Sequence, residues 1–239
     1  MARLLADKPS FHGDGHLRWD VSPGTLRLLA RLARPGQTTL EVGCGATTVV
    51  FAAAGSNHVA VSPAPAEFAG IRRYCAEIGV DTSSVSYVEG YSDRVLPTLE
   101  GRFDLALIDG AHSFPYPAVD FHYVSRRLEV GGLLVLDDLP IPSVGSVYRF
   151  LVAESAWRLL EVVEDRAAAF RLVRPLATGD PWGDQGFNHR YPDFSFLQWG
   201  RRVRVETVER LARSRLAGEA RRRIPNLDRA TRRLRQLIL

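Results

Sequence analysis

Short apolar runs alternate with longer amphipathic stretches along the first three-quarters of the chain. Thr38–Val42, His58–Ser62, Val85–Glu89, Phe103–Asp109 and Leu133–Asp137 have strand length, and turn residues bound them. Between them Thr47–Ala54, Ala64–Ile78, Asp93–Leu99 and Pro117–Leu128 carry helical spacing. Ahead of the first strand, Ser22-Pro23 reads as an N-cap and first-turn proline, opening a helix that Pro35-Gly36 closes. Strands apolar on both faces that alternate with helices predict a parallel sheet covered on both sides. The rhythm then changes. After a helix near Ser143–Glu154, "WRLLEVVED" and "AAAFRLVR" read as an antiparallel hairpin. Five parallel strands and a closing hairpin predict an α/β, doubly wound, seven-stranded sheet.

The 239 residues, 46% hydrophobic and 24% charged, suffice for one large core with an appendage. The expected division is 1–36, a lid loop and helix; 37–174, the α/β core; and 175–239, a C-terminal arginine-rich extension with helical character. The net charge of +4 is uneven. Arg190 to Leu239 holds 14 arginines against 5 acids. An apolar side formed by Val203, Val208, Leu211, Leu216, Leu227, Leu234 and Leu237 fits packing on the domain or on a second copy in a homo-oligomer. An anionic partner such as nucleic acid is the other reading. No run approaches the roughly 20 apolar residues of a membrane span, and the expected location is cytoplasmic. Cys44 and Cys75 lack metal-ligand spacing and read as reduced thiols.

The chemistry gathers at strand ends. "TLEVGCGATT" runs a strand into two glycines one residue apart, which lets backbone approach a ligand at the carboxyl edge of the sheet. The same turn also fits a purely structural loop. It lacks the Gly-Lys-Ser/Thr ending of a phosphate loop, and Thr48 stands where a dinucleotide fingerprint has its third glycine. Asp109 ends one strand and Asp137-Asp138 ends the next, so three carboxylates share one rim and call for a cation or protons. Oxygen donors of this kind suit magnesium or a similar divalent ion.

Taken in order, "EVGCG", "EGYSDRVLP", "FDLALIDGAH", "GGLLVLDD" and the hairpin resemble the class I S-adenosylmethionine-dependent methyltransferases over Thr25 to Arg174. The resemblance implies a Rossmann-like fold with S-adenosylmethionine as cofactor. It assigns the methionine part to Glu41, Gly43, Gly45 and Thr47, and the adenine side to Gly90, Tyr91, Ser92 and Asp93. In that family an acid usually ends the second strand and holds the ribose. Here Ser62 stands there, with Glu67 as its substitute.

The acidic rim narrows the resemblance to the cation-dependent small-molecule O-methyltransferases, the catechol type and its sugar and natural-product relatives. It implies Asp109, Asp137 and Asp138 as metal ligands, Asp109 also touching the cofactor. His112, three residues after Asp109, takes the place of the family's catalytic lysine and is the expected general base. "FHGDGHLRWD", with His12, His16 and Trp19, reads as a lid, and Phe114, Tyr116 and His122 as acceptor-packing residues. The expected function is O-methylation of a small hydroxylated molecule, a sugar or secondary metabolite. The alternatives are RNA modification through the basic tail and a non-catalytic binding module on the same fold.

Overall fold

A computed structural model describes residues 1–11, 21–176, 185–190 and 198–213. The chain divides into two units, Met1–Phe187 and Asn188–Leu239. In the first, the elements run α1 (Ala2–Asp7), α2 (Pro23–Leu32), β1 (Thr38–Val42), α3 (Ala46–Ala53), β2 (Asn57–Ser62), α4 (Pro65–Ile78), β3 (Val85–Glu89), α5 (Ser92–Val95) and β4 (Phe103–Ile108). They continue with α6 (Tyr116–Ser125), β5 (Leu128–Leu136), α7 (Pro142–Ala153), β6 (Trp157–Val163) and β7 (Ala167–Leu172).

One seven-stranded sheet has the order β3-β2-β1-β4-β5-β7-β6. The first five strands are parallel, and β7 pairs antiparallel with both β5 and β6. Each face carries its own core. Leu28 and Leu29 of α2, Phe51 of α3 and Ile71 of α4 cover one face, and Leu96, Val124 of α6, and Val147 and Leu151 of α7 cover the other. This is the doubly wound sheet that the strand pattern predicts. Its strand order reverses direction between β1 and β4, so a crevice opens at their carboxyl ends.

Two elements depart from the sequence pattern. Strand β5 begins at Leu128, because Gly131 and Gly132 sit inside it rather than before it. Its register skips from Phe103↔Leu128 to Leu105↔Leu133, and Gly131 takes a φ of 98°, as a bulge demands. Helix α1 carries only Leu4 as a buried residue, which leaves no periodic signal. The proposed lid residues His12, His16 and Trp19 lie outside the described residues.

Helices α8 (Gly186–Arg190) and α9 (Trp199–Arg213) complete the described chain. In α9 Arg202 bonds Glu206 at 2.7 Å one turn on, and Trp199 is largely exposed. The tail residues Leu216, Leu227, Leu234 and Leu237 lie outside the described residues. Among the described residues no helix is long and apolar enough to cross a membrane.

The α6 helix buries a carboxylate. Asp120 is fully enclosed, and burial raises its pKa from 3.8 to about 6 despite the neighbouring Ser92. A folded-state pKa above the unfolded value favours folding while the group is protonated, and that benefit is lost as pH rises from about 4 to about 6. Asp120→Asn is therefore expected to stabilise the fold by ~2 kcal/mol at neutral pH. The gain should disappear below about pH 4. Thermal melts of both proteins across that range check it, and parallel curves at every pH would refute it.

Candidate active site

A cavity of about 1010 Å³ opens at the carboxyl edge of the sheet. Its size matches the upper end of the about 300–1,000 Å³ of small-molecule pockets, so a cofactor leaves room for a second ligand. Gly43, Gly45 and Thr47 line it from the β1–α3 turn, and Ser62 and Glu67 from β2 and α4. Gly90, Tyr91 and Ser92 contribute the far end; Asp109, His112, Asp138 and Arg166 contribute the near one. Leu4, Leu5, Lys8 and Phe11 of the N-terminal segment form an apolar wall with one ammonium.

The glycine turn is shaped by the neighbouring strand. Gly43 has a φ of 96°, and a Cβ there would stand 2.3 Å from the Asp109 carbonyl oxygen. Its amide donates to the Val61 carbonyl at 2.9 Å. The β1 and β4 ends can thus meet only with glycine at this place.

Glu41 lies beneath the turn rather than on the cavity wall. Its buried carboxylate accepts from the Thr48 hydroxyl, which in turn accepts from the Gly45 amide at 3.0 Å. His58 Nε2 stands 3.2 Å from Glu41 Oε1, and His58 Nδ1 lies 2.8 Å from the Thr39 hydroxyl. This buried chain of side chains fixes the turn from behind.

At the β2 end a carboxylate does reach the cavity, though from helix α4. Glu67 Oε2 accepts from the Ser62 hydroxyl at 2.7 Å and from the Cys44 thiol at 3.1 Å. Burial and the nearby Glu41 raise the thiol's pKa, so Cys44 stays protonated and serves as a donor. At the β3 end the Gly90 amide donates to the Ser62 carbonyl at 3.0 Å. Tyr91 is exposed. Asp93 faces Arg94 at 3.6 Å and does not line the cavity.

The acidic corner is built from three elements. His112 Nε2 lies 3.1 Å from Asp138 Oδ2 and 3.8 Å from Asp109 Oδ1. The Ser143 hydroxyl holds the His112 carbonyl, which ties the β4 loop to the start of α7. Asp138 takes a left-handed φ of 59°, turning its carboxylate into the cavity.

Asp137 faces elsewhere, towards Thr25 and Arg166. It is fully buried, accepts from the Thr25 hydroxyl at 3.1 Å and faces Arg166 Nε at 3.5 Å. Among the described residues, one group of side chains offers three ligand atoms within 4.8 Å of one another: Asp109, His112 and Asp138. The sequence-expected trio had Asp137 in the place that His112 takes.

Burial raises the carboxyl pKa of Asp109 and of Asp137, and their mutual repulsion adds to it for Asp137. The Asp109 side chain raises the imidazole of His112 above 6.5, against the opposing effect of burial. Of the expected acceptor-packing residues, Tyr116 lines the cavity, whereas Phe114 and His122 do not. Arg166 and Thr25 had no motif to announce them.

Residues 40–139 match a family model described as a methyltransferase domain. No curated protein matches the chain. Among solved structures, the cofactor-bound Rv0187 from MTB is 19% identical with a TM-score of 0.59, over 72% of this chain and 88% of that one. The O-methyltransferase TomG from Streptomyces achromogenes, in complex with SAM, is 22% identical with a TM-score of 0.54, over 66% and 83%. The SAH-bound methyltransferase PaMTH1 from Podospora anserina is 19% identical with a TM-score of 0.55, over 65% and 81%. Residues 40–139 thus carry a likeness to a methyltransferase domain, and these solved structures share the fold of the chain.

Proposed function

We propose that the protein transfers the methyl group of S-adenosylmethionine to a hydroxyl of a small molecule at the Asp109–His112–Asp138 corner. The observation that carries this reading is the single cavity joining the glycine turn to His112. In it the backbone of Gly43 to Thr47 receives the methionine part, and Gly90 to Ser92 the adenine.

In the transfer an acceptor oxygen forms a bond to the methyl carbon as the sulfur–carbon bond breaks, leaving S-adenosylhomocysteine. His112 Nε2 takes the hydroxyl proton, and Asp109 and Asp138 stabilise the imidazolium that results. Holding donor and acceptor in line supplies most of the rate.

The donor chemistry of the corner fits a divalent ion: the carboxylates of Asp109 and Asp138 would hold it, and His112 Nε2 would keep its lone pair for the proton. Carboxylate oxygens of this kind suit magnesium or manganese. Such an ion would raise the acidity of the acceptor hydroxyl.

Ribose recognition falls to Glu67, whose carboxylate the Ser62 and Cys44 donors already orient. A carboxylate accepting from two hydroxyls binds them more strongly than a neutral amide does. Glu67→Gln is expected to weaken S-adenosylmethionine binding about tenfold, roughly 1.4 kcal/mol, with Ser62→Ala changing it much less. Titration calorimetry reads both, and an unchanged affinity in Glu67→Gln would remove the ribose from this residue.

The function itself is tested by incubating the purified chain with S-adenosylmethionine and a panel of hydroxylated sugars and phenols. Mass spectrometry should find a methylated product together with S-adenosylhomocysteine. Absence of any S-adenosylmethionine binding would sink the reading.

A further inference from the structure

Two of the three carboxylates at the corner already face a cation of the chain's own. Arg166 reaches in from the β6–β7 turn, with Nη2 2.8 Å from Asp138 Oδ1 and Nε 3.5 Å from Asp137 Oδ2. The backbone around it is fixed. The Leu139 amide donates to the Arg166 carbonyl at 2.8 Å, and the Arg166 amide donates to the Val163 carbonyl at 3.0 Å. Glu164 of the same turn engages Ser22 and the Gly24 amide at the start of α2. Thr25, one residue further on, holds the other oxygen of Asp137 at 3.1 Å.

The pair with Asp137 is electrostatic. Asp137 Oδ2 and Arg166 Nε are both buried and have no hydrogen-bond partner among the described residues, so charge rather than a directed bond holds them together. Asp138 divides its carboxylate: Oδ1 faces Arg166 and Oδ2 faces His112 at 3.1 Å.

We propose that Arg166 is an internal counter-ion of this corner that antagonises a divalent cation. A metal ion held by Asp109 and Asp138 would share Asp138 with the guanidinium and stand beside its fixed positive charge, which repels it. The wild-type chain therefore binds the ion weakly and keeps the corner close to charge balance without it. Arg166 acts here as a positioning residue for Asp138, and nothing in the proposal rests on which acceptor is methylated.

The test measures Mn²⁺ binding to the full chain by the electron paramagnetic resonance signal of the free ion. Wild type, Arg166→Gln, Arg166→Lys and the double variant Arg166→Gln with Asp138→Asn are compared. Arg166→Gln is expected to bind Mn²⁺ at least roughly tenfold more tightly than wild type. Arg166→Lys should stay close to wild type, and Asp138→Asn should abolish the gain. Arg166→Met is the second neutral variant should the glutamine variant lose its cooperative melt. Equal or weaker Mn²⁺ binding in a folded neutral variant overturns the proposal. So does loss of the fold in both neutral variants, which would make the guanidinium a structural requirement. S-adenosylmethionine affinity measured on the same samples reports the methyl-transfer reading separately.

Discussion

Gly43→Ala is expected to destabilise the protein by at least ~4 kcal/mol, lowering its melting temperature by about 10 °C, and to abolish S-adenosylmethionine binding. Two effects combine at this residue. A φ of 96° is a conformation that side chains with a Cβ rarely adopt, and the added methyl would also stand 2.3 Å from the Asp109 carbonyl oxygen. The clash cannot be relieved locally. The Asp109 amide donates to the Val42 carbonyl at 3.0 Å, so moving one strand end away from the other breaks the parallel ladder that both belong to. Gly79, the residue closing α4, separates the two effects: its φ is 74°, yet nothing lies within 4 Å of a Cβ built there. Gly79→Ala should cost only about 1 kcal/mol, the backbone contribution alone. Thermal melts of the two variants side by side decide the matter, and equal losses would show that the approach of β1 to β4 is not what requires glycine at 43.

The same contact explains why the glycine turn was legible in the sequence while its role was only half so. Two glycines after a buried strand mark a close backbone approach, and the approach is real; part of it is to strand β4 rather than to a ligand. Glu41 has a similar history. Its place before the turn is a motif, but its carboxylate is occupied from behind by Thr48 and His58, a pairing between β1, α3 and β2 that no local pattern encodes.

The parallel strands were readable because both faces are covered, which makes Thr38–Val42 and Phe103–Ile108 short, continuous apolar runs. The start of β5 was not, because Gly131-Gly132 is turn-like locally and becomes a bulge only when paired with β4. The acidic rim was readable as composition: Asp109, Asp137 and Asp138 do end adjacent strands. Which way each carboxylate points was not. Direction depends on the left-handed backbone of Asp138 and on Arg166, which lies on a hairpin turn far along the chain and enters the site only through the antiparallel pairing of β7 with β5.

Replacing His112 by Ala is expected to lower the turnover of methyl transfer by about 100- to 10,000-fold while leaving S-adenosylmethionine affinity close to wild type. In the proposed transfer the proton of the acceptor hydroxyl needs a destination within reach of the reacting oxygen. His112 is the one uncharged-capable base that the corner presents beside Asp109 and Asp138 among the described residues. Its protonation sets the pH dependence. The Asp109 side chain raises the imidazole's pKa above 6.5, so below that raised value His112 is imidazolium and has no lone pair to offer. Turnover should therefore climb as pH rises through a midpoint above 6.5 and level off beyond it. The alanine variant should lose this limb, and added imidazole should restore part of the rate. A residue that merely packed the loop would leave the limb in place, because Ser143 holds the backbone of His112 whatever its side chain. Persistence of the wild-type pH profile in the alanine variant would take the proton transfer away from His112 and leave Asp138, turned into the cavity by its own strained backbone, as the next group to test.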